Sequence, residues 1–137
     1  MRYLILMVSI FFVNLAQAAE ATVCKPQEAA KALRKSSSGL DKLDSIEPHW
    51  LMVKRAPEQI PGWLKAQHVG ALNRIIINTM QYNALLSGCT CNSLKEQGLD
   101  FELELYKHQR SDTDELKGFL KSVTNKIELI TRGAKSC

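Results

Sequence analysis

The sequence lacks the local motifs by which common active sites are recognised. It contains no P-loop, no dinucleotide-binding glycine fingerprint and no nucleophile elbow. The three histidines, His49, His68 and His108, share none of the short spacings that metal sites use, and no two cysteines have the paired spacing of a zinc site. These absences predict a protein that is not an enzyme and that needs no metal or other cofactor.

A concentrated basic surface is also missing. The 18 lysines and arginines are mixed along the chain with 14 acidic residues, which leaves a net charge of +4 and no long basic run. Proteins that bind nucleic acid collect their positive charge in a patch or a stripe. We therefore expect no nucleic-acid partner.

No apolar stretch reaches the roughly 20 residues that are needed to cross a bilayer. The nearest candidate, residues 4–13, follows Arg2 and precedes the small-residue sequence Ala16-Gln17-Ala18. A positive start, a short apolar run and a small-x-small site are typical of a cleaved secretory signal peptide. We expect a signal peptide over residues 1–18 and a single α-helical domain over residues 19–137, with no stable membrane span in the mature chain.

The export destination is suggested by a further absence. The sequence contains no Asn-x-Ser/Thr site for N-glycosylation. Together with the signal peptide, this favours the periplasm of a bacterium. Secretion to the extracellular space is the alternative.

Four cysteines, Cys24, Cys89, Cys91 and Cys137, indicate a disulfide framework in a short exported chain. A bridge between Cys89 and Cys91 would close a strained ring over one residue. We therefore expect each central cysteine to pair with one of the two terminal ones, which closes long loops and restricts the unfolded chain most. The sequence does not decide which central cysteine pairs with Cys24 and which pairs with Cys137.

A thiol–disulfide redox site at Cys89 and Cys91 is the alternative use of the central pair. A Cys-x-Cys sequence can exchange disulfides when a thiolate is stabilised by its surroundings. The nearest cation is Lys95, and no alternation of strands and helices of the thioredoxin type surrounds the pair. Structural disulfides are therefore the favoured interpretation.

The spacing of apolar residues predicts an all-α fold. Val69, Leu72, Ile76 and Met80 recur at steps of three and four and indicate a central helix over about residues 63–87. The same spacing predicts a helix from Leu116 to Ile130. Residues 99–106 alternate like a strand, but Leu and Glu favour a helix, and no other stretch offers a strand partner. We predict a small disulfide-stabilised bundle of four to five helices after the cleaved signal peptide.

The same patterns predict where helices are interrupted. A first helix should begin near Pro26 and end at the Ser-Ser-Ser-Gly run of residues 36–39. Repeated prolines predict irregular structure over residues 47–63, with at most one helical turn. Gly133 is expected to terminate the last helix. The predicted core consists of Leu33, Val69, Leu72, Ile76, Met80, Phe101, Leu105, Leu116, Phe119, Leu120, Val123, Ile127 and Ile130.

The proline-interrupted segment supplies the candidate binding residues. It contains both tryptophans, Trp50 and Trp63, and the basic pair Lys54 and Arg55. Aromatic and arginine side chains on loops are enriched at protein interfaces. These four residues are the candidates for contact with a partner. The competing interpretation, which the usual burial of large aromatic side chains favours, is that both tryptophans cover the core as a lid.

These observations together predict an exported accessory or adaptor protein that is not an enzyme and that binds another envelope or secreted protein. In form the chain resembles accessory proteins of bacterial secretion, conjugation or pilus systems. It also resembles periplasmic immunity proteins, so an inhibitor of a toxic enzyme is the first alternative. A redox protein using Cys89 and Cys91 is the second. Form alone does not fix function.

Overall fold

The computed structural model describes residues 23–53, 61–110 and 116–137 of the chain. Over these residues it is all-α, with no strand, and residues 99–106 are helical as expected. The predicted signal peptide over residues 1–18 lies outside the described part. The helices, in chain order, are α1 (Pro26–Arg34), α2 (Ser37–Val53), α3 (Gly62–Leu86), α4 (Asn92–Arg110) and α5 (Leu116–Lys135).

Helix α1 begins at Pro26, whose missing N–H costs nothing in the first turn. Its buried face is made of small residues and one leucine: Ala29, Ala30, Ala32 and Leu33. Small side chains allow close approach, and α1 packs against both α3 and α5. The short first helix therefore binds the middle and the end of the chain to each other.

The serine-rich run does not form the break that the sequence predicts. Helix α1 ends at Arg34, and α2 begins three residues later at Ser37, so most of the run lies inside α2. Ser36 is fully buried at the junction, and Gly39 lies against α3, where an added Cβ would be 2.9 Å from the carbonyl oxygen of Ala71. The glycine permits close helix packing rather than ending a helix.

Helix α2 also corrects the prediction of irregular structure over residues 47–63. It continues through Pro48 to Val53, while residues 54–60 lie outside the described part. A proline inside a helix costs about 3 kcal/mol. Leu43 and Ile46, which are almost fully buried, pack this helix into the core, and such tertiary packing supplies most of a helix's stability.

Helix α3 is the centre of the bundle, as its apolar spacing predicts. Its 25 residues span about 37 Å at 1.5 Å per residue. It packs against α1, α2 and α4, and it buries Leu64, Leu72, Ile75, Tyr82 and Leu86 completely. Pro61 precedes its first turn.

Helix α5 carries the second predicted apolar seam, and all five seam residues are buried: Leu116, Leu120, Val123, Ile127 and Ile130. The predicted stop at Gly133 is wrong, because α5 continues to Lys135. Gly133 instead faces Leu94 of α4 closely enough that an added Cβ would collide with that side chain. Helix α5 packs on α1, α2 and α4 and so closes the bundle.

Most of the predicted core is confirmed, with three exceptions. Val69 and Phe119 are only partly buried, and Met80 is 46% exposed. Helical spacing places Met80 on the flank of α3 that meets α4, where one side of the residue stays open. The core also contains residues outside the predicted set, among them Leu43, Ile46, Leu64, Ile75, Tyr82 and Leu86.

Two disulfides join the chain ends to the loop between α3 and α4. Cys24 pairs with Cys89, with 4.8 Å between Cα atoms, and Cys91 pairs with Cys137, with 5.9 Å between Cα atoms. This confirms the expected pairing of each central cysteine with one terminal cysteine and resolves which pairs with which.

Candidate functional site

The α3–α4 hairpin exposes large apolar side chains on one side. Ile77 is 62% exposed and Met80 46% on α3, while Leu99 is 59% and Leu103 53% on α4. The hydroxyl of Tyr106 donates a hydrogen bond to Met80 Sδ at 3.5 Å, which joins the two rows of side chains. We call these five residues the hairpin face. Clustered exposed apolar side chains mark interaction sites more often than scattered ones do.

Helical spacing explains why each helix contributes a row. Leu99, Leu103 and Tyr106 recur at steps of four and three, so they lie along one side of α4. Phe101 and Leu105 lie on the opposite side and are buried. Helix α4 therefore has two apolar sides, of which one fills the core and the other meets solvent.

Polar contacts fix the two helices beside each other. Asn83 Nδ2 donates to the carbonyl oxygen of Gly98 at 3.2 Å and to Glu102 Oε2 at 2.7 Å. Further along the seam, Gln109 Nε2 donates to Asn73 Oδ1 at 2.6 Å. These bonds hold the hairpin face in one arrangement, and a preformed surface binds a partner at a lower entropic cost.

The second half of α3 and the loop that follows it are poor in charge. No charged residue occurs over residues 75–94, which include the second half of α3 and the loop. Depletion of charge is the compositional mark of the buried centre of a protein interface. The side of the hairpin face that α3 provides has this property.

The predicted tryptophan site is described only in part. Trp63 lies in the first turn of α3, is 52% exposed and meets the ring of His49 edge-on, with 5.7 Å between ring centroids. Lys54 and Arg55 lie outside the described residues, and so does the side chain of Trp50. The structure thus places Trp63 on the surface and beside α2, and contact of the four residues with a partner stays a prediction.

A groove lies between α4 and α5. It has a volume of about 240 Å³ and an apolar floor formed by Phe101, Leu129 and Ile130. An ion pair between Glu104 and Lys126 crosses its rim. The residues that line this groove include none of the hairpin face.

Two of the three histidines meet in the core, which the sequence did not indicate. His68 of α3 and His108 of α4 are each 6% exposed, with 5.5 Å between their ring centroids. The ring of His108 stacks on Phe119 of α5 at 3.4 Å. Burial lowers the pKa of His68, and burial together with the neighbouring His68 lowers the pKa of His108 to about 4. Both rings are therefore neutral at pH 7.

The second cluster is formed by sulfur atoms at the end of the bundle opposite Trp63. The Sγ atoms of Cys89, Cys91 and Cys137 all lie within 4.8 Å of one another. Cys24 belongs to the same cluster through its bond to Cys89. Such spacing would suit a soft metal ion if the cysteines were thiolates, but all four are bridged. The sequence brings two of them close, and the fold adds the other two.

In a comparison with known proteins, no family model, no curated protein and no solved structure matches this chain. Among the described helices, none combines the length and the apolar character that crossing a bilayer requires.

Proposed function

We propose that the chain is an exported, periplasmic adaptor that is not an enzyme and that binds another envelope protein through the hairpin face. The observation that carries this proposal is the exposure of Ile77, Met80, Leu99 and Leu103 along a hairpin whose α3 half is uncharged. Burying such side chains contributes roughly 25 cal/mol for each Å² of apolar surface removed from water. A partner with an apolar helix of low charge fits this surface best.

Export is supported by two lines of argument. Disulfides form and persist in oxidising compartments, and both bridges here join segments that are far apart in the sequence. The signal-peptide pattern over residues 1–18 points the same way. Service in a secretion, conjugation or pilus system is the narrower form of this proposal.

A role without acid–base catalysis is supported by where two of the three histidines lie. The paired histidines are buried where no substrate in solution reaches them. The exposed side chains of the hairpin face are apolar and offer van der Waals contact rather than acid or base groups. These exposed apolar side chains suit binding of another protein rather than catalysis.

The test is a binding experiment with matched surface variants. The double variant Met80→Lys with Leu103→Lys places one charge on each helix of the hairpin face, and Leu129→Lys changes an apolar side chain of α5 that is 64% exposed. Each purified mature chain is used to capture proteins from the periplasmic fraction of the source cells, followed by quantitative mass spectrometry. A true partner should be recovered equally by the parent chain and by Leu129→Lys.

The double variant should recover roughly tenfold less of that partner, because placing charge in an apolar contact costs more than about 1.4 kcal/mol. Equal recovery by a double variant with unchanged circular dichroism would contradict the proposal. Trp63→Ala, measured alongside, tests the predicted tryptophan contact separately. Sedimentation of the parent chain alone is the second control, since a dimer abolished by the double variant would make a second copy the occupant.

A further inference from the structure

We propose that the two disulfides form a single thiol–disulfide exchange site, which an external dithiol enters at Cys137. The proposal concerns the sulfur cluster alone and does not depend on partner binding at the hairpin face. The ligand class is a dithiol, either a small molecule or the reduced active site of an oxidoreductase.

The first support is the arrangement of the four sulfurs. Cys137 and Cys24 are exposed, Cys91 is partly buried, and Cys89 is 4% exposed. Both sulfurs of the Cys91–Cys137 bridge lie within 4.8 Å of Cys89 Sγ. We call Cys91–Cys137 the outer bridge and Cys24–Cys89 the inner bridge. Each bridge has one exposed cysteine, and Cys89, which is shielded from solvent, lies beside both sulfurs of the outer bridge, so a thiolate formed there is within reach of the inner bridge.

The second support is that contacts other than the bridges hold the same segments together. The N–H of Lys25 donates to the carbonyl oxygen of Leu85 at 2.8 Å, and the N–H of Gly88 donates to the carbonyl oxygen of Val23 at 2.8 Å. These two bonds hold the backbone on either side of Cys24 to the last turn of α3 and to the loop that follows it. Packing of α5 against α1 and α4 holds Cys137 in the same way. Opening one bridge therefore leaves the sulfurs near one another.

The third support concerns the leaving group. Cys91 immediately precedes α4, and its carbonyl oxygen accepts the N–H of Lys95 in the first turn. Lys95 Nζ donates to the carbonyl oxygen of Cys89 at 3.2 Å, which places a positive charge beside the loop. A helix N-terminus and a nearby lysine both stabilise a thiolate. Cys91 is thus the sulfur of the outer bridge that leaves more readily.

The dithiol then reduces the outer bridge in two steps. A thiolate of the dithiol attacks Sγ of Cys137, the bond from Cys137 to Cys91 breaks, and Cys91 leaves as a thiolate. The second thiolate of the dithiol attacks the mixed disulfide and releases Cys137 as a thiolate. The dithiol is oxidised to its disulfide, the outer bridge is reduced by two electrons, and the two thiol protons pass to Cys91 and Cys137 through water.

Exchange follows without further transfer of electrons. The Cys137 thiolate attacks Sγ of Cys89, a bond forms between Cys137 and Cys89, and the bond from Cys89 to Cys24 breaks. Cys24 leaves as a thiolate and takes up a proton. The protein with one bridge reduced therefore exists as two isomers. In one of them, no disulfide joins the segment before α1 to the loop between α3 and α4.

The variant Cys91→Ser tests this exchange directly, because it leaves a free thiol at Cys137 beside the intact inner bridge. The folded variant is held at pH 8, quenched with acid, alkylated and digested without reduction for peptide mapping. The label should be shared between Cys137 and Cys24, with a peptide linked through Cys89 and Cys137. Label at Cys137 alone, in a chain that keeps its helical circular dichroism, would overturn the proposal. Transfer should slow about tenfold for each pH unit below the thiol pKa, since only the thiolate attacks.

The parent chain provides the second measurement, which requires no variant to fold. It is treated with less than one equivalent of dithiothreitol, quenched and alkylated in the same way. Molecules in which one of the two bridges is reduced carry two labels. One label should be at Cys91 at every time point, and the other should be divided between Cys137 and Cys24. Initial label at both Cys24 and Cys89, or label confined to Cys91 and Cys137 at all times, would overturn the proposal.

Discussion

At the scale of single residues, Gly98 shows how closely α3 and α4 approach. A Cβ at this position would lie 2.9 Å from Tyr82 Cε1 and would also collide with the side-chain oxygen of Asn83. Tyr82 is fully buried, and burial raises the pKa of its hydroxyl to about 12. The glycine therefore lies at a close approach of the two helices, and α4 continues through it.

We expect Gly98→Ala to destabilise the fold by about 1–3 kcal/mol, because Tyr82 and Asn83 must move to admit the new methyl group. The matched control is Gly70→Ala in α3, where an added Cβ meets nothing within 4 Å. That change should stabilise the fold by about 0.5–1 kcal/mol through helix propensity alone. Urea denaturation followed by circular dichroism measures both. Equal effects of the two substitutions would show that Gly98 is not a close contact.

Residues also show the limits of the apolar pattern. Met80 has the spacing of a core residue but belongs to the hairpin face, because a periodic pattern does not distinguish a face that meets the core from one that meets solvent. His68 and His108 are 40 positions apart, and nothing in local spacing predicts that their rings meet. Asn73 and Asn83 each bond across to α4, and the sequence does not show whether such an amide meets solvent or another helix.

At the scale of helices, prediction succeeded where the signal is local and continuous. Helices α3 and α5 follow from apolar residues at steps of three and four, which every turn repeats. Prediction failed at the junctions of α1 with α2 and along α2 itself. There, serine, glycine and proline locally disfavour a helix. The helix forms because Leu43 and Ile46 are buried against the other helices, which the local sequence does not reveal.

Pro48 lies within α2, is exposed, and is expected to weaken the helix that contains it. We expect Pro48→Ala to stabilise the fold by about 1–2 kcal/mol, which is less than the full cost of an interior proline because the unfolded chain also gains freedom. Thermal and urea denaturation measure the change. Pro26→Ala, at the first turn of α1 where proline is tolerated, is the control and should be nearly neutral or slightly destabilising. A loss of stability in Pro48→Ala would mean that α2 depends on its proline.

At the scale of the whole molecule, the two disulfides close loops of 65 and 46 residues in sequence separation. The chain-entropy model assigns about 4 kcal/mol to each as an upper value. Ring strain at Cys89 and Cys91 made the pairing of centre with ends predictable from the sequence. Which central cysteine joins which end was not predictable, because that depends on the side from which α1 and α5 approach the loop.

We expect the buried histidine pair to make the bundle sensitive to acid. His68, His108 and Phe119 come from three helices, so protonation of the pair disturbs the contact among all three. The pKa of His108 is lowered to about 4 in the folded chain, whereas an unfolded histidine has a pKa near 6.5. Between these values the unfolded state binds more protons. Stability is therefore fully present above about pH 6.5 and is lost as the pH falls towards 4.

We expect this loss to reach about 3 kcal/mol at pH 4, because the difference between the folded and unfolded pKa of His108 costs about 1.4 kcal/mol for each pH unit that separates them. Urea denaturation at a series of pH values between 4 and 7 measures it. The variant His108→Leu should lose most of the dependence on pH in this range, while the carboxylates common to both proteins supply the remainder. An unchanged slope in a folded His108→Leu chain would exclude His108 as its source.

The attachment of Cys24 and Cys137 to positions two residues apart has a topological consequence. The two Cα–Cα spans and the short stretch between Cys89 and Cys91 place Cys24 and Cys137 at most roughly 18 Å from each other. A linker of a few glycines could therefore join these two positions peptide to peptide. The backbone would become a closed circle with the same helical order, and new termini could be opened at a distant loop without undoing the bundle.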